Sequence, residues 1–415
     1  MASDLFKPIV NERTRAPNFF NGRLLTGEAM TDEQRAQRTA RELLGQAIGD
    51  GVVYGLEVSI ATASNTLTRP VVTIESGLAI DRRGELLLLA NDVDVQLVRP
   101  DDPVPDVAKI FRTCTPISSG TYIANAGVYL LTISPIRTGN GLAQVSGLGD
   151  TPRGCNVKDV IDAVEFRLLE LPVPAATLGD VNHLRNIVAY QCFGAAHLLD
   201  VTKDPFAADA EPRTLLDDVT ALTECDVPLA LLYWTATGGI RWLDLWSVRR
   251  RVTHMRAASQ SVLDGVLDDV RVAVAEAMIQ QFQEHIAAQL AVSGNPASLT
   301  ATDIFMYLPP AGILPANITG HAGFEPSQFF GGLTTLGPRF TEGARVEQLF
   351  AEAVRYPPIR LADKELIRLY NIRENRQAID GSFPVAPAVV FTNGHVPTRA
   401  GAHFDLAHWG YASYA

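Results

Sequence analysis

The stretch Asn18-Phe-Phe-Asn-Gly-Arg-Leu-Leu-Thr-Gly-Glu-Ala-Met-Thr-Asp-Glu-Gln34 is followed in order by a helical segment, a Gly-rich strand entry and a Gly-bounded hairpin. Its last four residues, Thr31-Asp-Glu-Gln34, have the form of a capping box, which predicts that a helix starts at Thr31. Nothing in this order places a nucleophile, a base or a set of metal ligands. The pattern therefore predicts assembly rather than catalysis.

The helix predicted from Thr31 leads into a β-rich region. Gly49 suits a left-handed cap at its end. The β-branched runs 51–58 and 70–75 predict strands, and residues 77–89 predict two strands joined by a tight turn at 81–84. Together they predict a small β-sandwich. The apolar face of the helix, of the kind that packs on a core, consists of Ala36, Ala40, Leu43, Leu44 and Ala47.

Further elements follow along the chain. Strands are predicted at 127–134 and 163–171, with a Gly-rich surface loop at 137–149 that lacks the spacing of a phosphate-binding loop. Residues 179–196 and 212–223 have helical spacing, and 228–246 predict a hairpin. The run Arg249-Arg250-Arg251 is of a kind that is usually a solvated face.

A long helix is predicted over about 257–292, because apolar residues recur there at spacings of three or four. The preferred interpretation is self-association into a helical bundle, a trimeric neck; the alternative is that the helix lies on the sheet of its own subunit. The stripe proposed for oligomerisation consists of Leu263, Leu267, Val270, Val274, Met278, Phe282 and Ile286, with Leu290 continuing it.

The predicted fold class is α+β, in three parts. Residues 1–256 form an N-terminal β-rich docking region, 257–295 the long helix, and 296–415 a separate C-terminal α+β domain that is rich in Pro, Gly and Phe. Breaker residues after position 292 mark the second boundary.

Composition and the pattern of apolar residues reduce the number of possible functions for this protein. The net charge of -11 argues against a protein that coats nucleic acid. The start of the chain shows no secretory or transit peptide, and no apolar run reaches the length of a membrane span, so a cytoplasmic protein that does not span a membrane is expected. The four cysteines lack metal-site spacing and are expected to be reduced.

Two groups of residues are weak candidates for chemistry. His403, Asp405 and His408, with His395 upstream, could form a ligand set, but they lack the helical spacing of a zinc motif, and no metal is predicted. Asp81 and Glu85 are a formal pair of carboxylates, although turn formation explains Asp81 better. No catalytic residue and no cofactor is predicted.

Aromatic side chains beside Gly or Asn are more informative, because such anchors are favoured at protein interfaces. The alternative, that they close domain cores, is equally open. They are Phe19, Phe20, Phe329, Phe330, Trp409, Tyr411 and Tyr414.

The run Phe20-Asn-Gly-Arg-Leu-Leu-Thr, then Gln34, Gly51-Val-Val-Tyr-Gly-Leu-Glu-Val and Gly77-Leu-Ala-Ile-Asp, resembles the N-terminus of baseplate-associated proteins of phage-tail-like contractile injection systems. It is also similar to the shoulder domain of the trimeric type VI secretion baseplate adaptor and to phage receptor-binding proteins. The resemblance is strongest over about the first 95 residues. It implies docking through Phe19, Phe20, Gly22, Leu24, Leu25 and Gln34.

Three hypotheses follow. The first is a non-enzymatic, homotrimeric structural subunit at or near such a baseplate, assembled in the cytoplasm into a particle that is released or attached to a membrane. Its partners are other baseplate or fibre subunits, with a membrane-protein partner also open. The second is a receptor- or glycan-binding fibre component, and the third is a carbohydrate-active enzyme.

Overall fold

A computed structural model describes residues 16–62, 65–67, 69–98, 122–123, 125–144, 155–203, 213–253, 269–317, 323–372 and 388–394. These residues form a mixed α+β structure with several small sheets, so the predicted fold class is confirmed at that level. The predicted boundary at 256/257 and the histidines 395, 403 and 408 lie outside the described residues.

The helices and strands are named in chain order. The helices are α1 (Gly27–Ile48), α2 (Ala175–Gly179), α3 (Leu184–Cys192), α4 (Ala195–Lys203), α5 (Asp269–Val292), α6 (Ala301–Ile304), α7 (Pro326–Phe329) and α8 (Val346–Ala353). The first ten strands are β1 (Gly51–Gly55), β2 (Val58–Ile60), β3 (Val71–Ile74), β4 (Gly77–Ile80), β5 (Leu86–Leu89), β6 (Val93–Gln96), β7 (Gly127–Gln144), β8 (Cys155–Glu170), β9 (Val227–Thr235) and β10 (Gly239–Asp244). The remaining six are β11 (Tyr307–Leu308), β12 (Ala311–Pro315), β13 (Thr335–Thr341), β14 (Ile359–Arg360), β15 (Ile367–Ile372) and β16 (Ala388–Thr392).

Helix α1 begins earlier than the capping box predicted. Its cap is Thr26, whose hydroxyl accepts a hydrogen bond from the Ala29 N–H at 3.2 Å. The Thr31 hydroxyl instead donates to the Gly27 carbonyl, inside the first helical turns. The predicted start at Thr31 is therefore wrong, because the Thr–Gly pair upstream supplies a competing cap. The predicted end is confirmed at Gly49, whose φ is +116°.

The predicted strand 51–58 is broken into β1 and β2, which belong to different sheets. Gly55 and Leu56 both have positive φ, +60° and +59°, and this turns the chain between the strands. Arg249 stabilises the break, because its guanidinium donates to the carbonyls of Leu56 and Gly55 at 2.9 and 2.6 Å. Leu56 is itself completely buried.

The arginine run is not a solvated face. Arg249 is buried, and Arg250 lies 4.9 Å from the centroid of the Phe193 ring. Burial lowers the pKa of Arg250 to about 10. Only Arg251 keeps an exposed ion pair, with Glu276. The expectation is wrong for the first two because backbone carbonyls and an aromatic face replace water around them.

The hairpins at 77–89 and 228–246 are confirmed as β4–β5 and β9–β10. The middle sheet has the order β10-β9-β7-β8, and two three-stranded sheets, β1-β4-β5 and β2-β3-β6, precede it in the chain. Alternation along β7 sends Tyr129 and Leu131 into a core shared with the small sheets, and Val128 and Leu130 into a core shared with α3.

Strands β7 and β8 are longer than predicted. They stay paired from Tyr129 with Glu170 to Gln144 with Cys155, so residues 137–144 are strand and not loop. The prediction took the glycines as a sign of a loop. A two-stranded ribbon with solvent on its faces needs few packed side chains, so it can contain glycines and remain a strand pair. The predicted helix 179–196 is interrupted between α2, α3 and α4. The described part of the predicted helix 212–223, from 213 onward, contains a single short 3₁₀ turn, Leu215–Asp218.

The C-terminal part is built on the sheet β12-β16-β15-β13, in which β13 and β15 are parallel. Helix α5 lies on this sheet. Its Phe282 ring packs edge-on against Phe391 of β16 at 5.2 Å between centroids. Gly312 of β12 permits this approach, because a Cβ there would lie 2.6 Å from Phe391 and 3.0 Å from Phe282. In the described part of the chain, no helix is long and apolar enough to cross a membrane.

The cysteines differ from one another. Cys192 is buried and free, whereas Cys225 is disulfide-bonded. The expectation of reduced cysteines is therefore wrong for Cys225, because spacing along a sequence does not report which sulfur atoms meet in space.

Candidate docking surface

The segment before α1 is held by a turn of its own. The Arg23 N–H donates to the Phe20 carbonyl at 3.1 Å, and Gly22 inside the turn has a φ of +90°, which favours glycine. The Arg23 guanidinium donates to the Asn18 carbonyl and lies 5.8 Å from the centroid of the Phe19 ring. These contacts are local, so the apolar side chains around them are not drawn into a core.

All six residues implied in docking are exposed. Leu24 is 82% exposed and Phe20 is 64% exposed, which is unusual for side chains of this size. The structure brings five of the six together in the turn segment, Phe19, Phe20, Gly22, Leu24 and Leu25, and places Gln34 on α1. Phe329 and Phe330, by contrast, are buried in the C-terminal core.

Helix α1 rests on the β4–β5 turn through glycine and polar contacts. A Cβ at Gly45 would lie 2.1 Å from the carbonyl oxygen of Gly84, so the two backbones touch. The Gln46 amide donates to the Arg83 carbonyl at 3.0 Å, and Arg38 pairs with Glu85 at 2.5 Å. Of the apolar side chains of α1 only Ala29 is buried, so the helix is attached mainly through these glycine and polar contacts.

The predicted apolar face of α1 is consequently directed to solvent. Ala40, Leu43, Leu44 and Ala47 are exposed, and Ala36 is half-buried. Leu44 is 66% exposed. An apolar helix face usually packs on a core, but this one does not, because Gly45 allows the opposite side of the helix to approach the sheet turn more closely than any apolar side chain would.

The outer side of the β1-β4-β5 sheet adds to the exposed apolar surface. Tyr54 is paired with Leu78 and Leu78 with Leu88, so these side chains form one row across the strands. Tyr54, Leu86 and Leu88 are exposed, whereas Leu87 on the opposite side is buried. The N-terminal region therefore presents apolar side chains from a turn, a helix and a sheet.

The stripe proposed for oligomerisation is used within the chain. Met278 packs with Tyr190 and Phe193 of the N-terminal region, and Phe282 and Ile286 lie in the C-terminal core. Val274 is partly buried beside Met278, Val270 is exposed, and Leu263 and Leu267 lie outside the described residues. Over 269–292 the helix follows the alternative expectation of packing on its own subunit.

A buried polar cluster that sequence reasoning missed joins α3, β10 and α5. Asp244, at the end of β10, is fully buried and accepts hydrogen bonds from Arg185 at 2.7 Å and Gln281 at 2.9 Å. Its other oxygen accepts from the N–H and hydroxyl of Ser247. Glu284 pairs with Arg185 at 3.1 Å. The only sequence signal was a lone Asp inside the apolar run of the second hairpin strand.

The electrostatics of this cluster indicate a structural role. Burial would raise the pKa of Asp244, but Arg185 and the hydrogen bonds from Ser247 and Gln281 hold it below its usual range. Burial, with Asp244 nearby, raises the pKa of Glu284 to about 7, and burial lowers the pKa of His285 to about 3. Asp244 is thus an ionised acceptor whose hydrogen-bonding sites are filled by the chain, which suits holding elements together.

The formal pair of carboxylates, Asp81 and Glu85, has a structural role in the β4–β5 turn. Asp81 is buried, and its carboxylate accepts the Glu85 N–H at 2.7 Å while its carbonyl accepts the Gly84 N–H. Burial raises the pKa of Asp81 to about 6. Glu85 is engaged by Arg38 of α1. Both side chains therefore organise the turn on which α1 rests.

Among the described residues, no group of three or more His, Cys, Asp or Glu side chains is arranged to hold a metal ion.

Comparison with known protein families finds no family model that matches this chain, and comparison with curated proteins finds no match.

Proposed function

We propose that this protein is a non-enzymatic structural subunit of a phage-tail-like contractile injection system, located at or near the baseplate. Its β-rich region 1–256, with a sandwich-like shoulder, docks on the baseplate, and region 296–415 is presented to another component. The particle is assembled in the cytoplasm.

One observation carries the proposal. The segment that resembles the baseplate proteins is also the segment where the structure exposes Phe19, Phe20, Leu24 and Leu25. Exposed aromatic and leucine side chains that cluster on one segment are typical of protein interfaces, where their burial supplies affinity. The segment also has a structured base, because α1, which begins directly after it, is anchored on the β4–β5 turn.

The test is association with the particle in the native producer cell. The variant carries Phe19→Ser, Phe20→Ser, Leu24→Ser and Leu25→Ser, and sheathed particles are collected by ultracentrifugation. We expect the wild-type chain in the particle pellet and at least a tenfold loss of the variant from it. Val292→Ser is the matched control, because Val292 is 79% exposed on α5, away from this segment.

Equal recovery of the two variants and the wild type in the pellet would contradict docking through this segment. Absence of the wild-type chain from all particles would contradict the function itself. Circular dichroism of the purified variant checks that the loss is not caused by unfolding.

The homotrimer stays a prediction from the sequence, and a two-fold dimer of the isolated protein would be incompatible with it. Three of the seven side chains on which it was based, Met278, Phe282 and Ile286, are covered by the chain itself. Light scattering of the full chain tests it, since a protomer has a mass of 44.9 kDa and a trimer three times that value.

A further inference from the structure

The outward side of α1 repeats in heptads. Met30, Gln37 and Leu44 are seven residues apart, all are exposed, and Ala40 and Ala47 lie beside them. This spacing places the five side chains along one stripe of a straight helix. Gly45 and Arg38, which contact the β4–β5 turn, lie about 80–100° around the helix from Gln37, outside this stripe. The outward stripe therefore has no covering element among the described residues.

The charges on this stripe fit a second copy in antiparallel orientation. Arg41 is exposed and makes no ion pair with any residue that the structure describes. Glu33, two turns earlier, has the neutral Gln37 amide as its described side-chain partner. If two α1 helices cross at Gln37, Arg41 of each copy lies opposite Glu33 of the other, and Met30 lies opposite Leu44.

We infer that α1 is a self-association surface, on which two copies of the chain pack their α1 helices antiparallel about a two-fold axis at Gln37. Such an interface is isologous, so every favourable pair occurs twice. Apolar contacts form at both ends, two Arg–Glu pairs flank the centre, and the small Ala40 and Ala47 let the helices approach closely. Antiparallel packing also sets the positive N-terminal end of each helix dipole beside the negative C-terminal end of the other.

The antiparallel orientation suits the stripe better than a parallel one does. A parallel pair would set Arg41 beside Arg41 and Glu33 beside Glu33, which is unfavourable. The apolar stripe of α5 is buried within the chain. Of the two long helices that the structure describes, α1 is therefore the one whose apolar stripe is exposed. The inference does not depend on the proposed function, because it concerns the purified protein alone.

The experiment measures the mass of the full-length protein by sedimentation equilibrium over a range of concentrations. We expect a monomer–dimer equilibrium for the wild type and for V292D. The variant L44D should be monomeric at all concentrations, because a carboxylate would be buried against Met30. Both positions are exposed in the monomer, so neither change should prevent folding.

Charge reversal tests orientation and register. R41E and E33R should each weaken the dimer about tenfold or more, and the double variant E33R/R41E should restore it, because the two reversed charges face each other across the axis. A cysteine at the axis gives a second readout. Q37C should form a disulfide-linked dimer with an added small-molecule disulfide as oxidant, while R35C, on another side of the helix, should not.

Several results would overturn the inference. These are a monomeric wild type at all concentrations, a trimer, a dimer that survives L44D, and a double charge reversal that binds no better than the single ones. Absence of the wild-type chain from all particles, together with an intact dimer in solution, would count against the proposed function and leave the α1 pairing standing.

Discussion

Single residues in this protein act mainly by completing backbone geometry. Arg249 donates to two carbonyls at the point where β1 ends. These hydrogen bonds offset the free-energy cost of the positive φ at Leu56. Asp81 accepts the Glu85 N–H and closes the β4–β5 turn. Both are ionisable side chains that the fold buries. Hydrogen bonds to the backbone account for the burial of each, with no need to invoke chemistry on a substrate.

Asp81 should make stability depend on pH. Its pKa is raised by burial to about 6, so the folded state holds a proton that the unfolded state loses near pH 4. Stability should therefore fall as the pH rises from about 4 to about 6 and then level off, by about 2 kcal/mol. Urea unfolding of the wild type and of D81N, each at pH 4.5 and pH 7, isolates this contribution, because Glu284 and His285 add the same pH dependence to both proteins.

The variant D81N should remove most of that pH dependence, because its amide does not titrate. The matched control is D159N, at an exposed position on β8. An unchanged pH slope in D81N would show that Asp81 is not the titrating group.

At the scale of elements, glycines decide how closely α1 approaches the sheet turn. We expect G45A to destabilise the protein by about 1–3 kcal/mol, because its Cβ would meet the Gly84 backbone at 2.1 Å. Amide hydrogen exchange of G45A should show that protection is lost mainly in α1. G27A, where no atom lies within 4 Å of the added Cβ, is the control and should be neutral or stabilising. Equal effects of the two changes would contradict the close approach.

The Asp244 cluster fastens three elements. D244A should lower the free energy of unfolding by about 3–5 kcal/mol, because Arg185 would remain buried without its carboxylate. R213A removes the exposed pair with Asp218 and should leave the free energy of unfolding nearly unchanged, because solvent screens that pair. Chemical denaturation of both variants at pH 7 makes the comparison. A cost for D244A as small as that of R213A would contradict a stabilising cluster.

At the scale of the whole molecule, the N-terminal region and the C-terminal part share buried contacts. Asn186 of α3 accepts from the N–H groups of Met306 and Tyr307, and the Tyr190 ring stacks on Tyr307 at 5.1 Å. Arg185 reaches Glu284 of α5. Through these contacts α3 connects the β-rich region with the long helix.

A chain ending at Arg256 should therefore be less stable than the full protein. It would expose Tyr190 and Phe193, and it would leave the Arg185–Asp244 pair without Gln281. We expect its thermal midpoint to fall by at least about 5 °C and dye binding to exposed apolar surface to rise. An equally stable fragment with no increase in dye binding would show that residues 1–256 fold independently.

Much of the local structure was predictable from the chain. Hairpins with a turn signal between apolar runs, β4–β5 and β9–β10, were found because turn chemistry is local. The start of α1, the break at Leu56 and the length of the β7–β8 ribbon were not, because each depends on a partner distant in the chain or on competing caps.

The candidate surface was predictable in part. The turn segment from Phe19 to Leu25 was singled out from its motif, and its exposure is what a docking segment needs. Which apolar stripe is covered could not be read from periodicity, because the stripes of α1 and α5 have similar spacing. The α5 stripe is buried and the α1 stripe is exposed.

By itself the sequence determined the α+β class, the two tight hairpins, the long helix and the aromatic N-terminal segment, since these follow from local turn chemistry and from hydrophobic period. Only the tertiary structure decided which charges are buried and which apolar faces remain open. The reason is physical: burial depends on what else approaches a side chain, and that approach was set by Gly45, Gly312 and Arg249 through contacts with residues far along the chain.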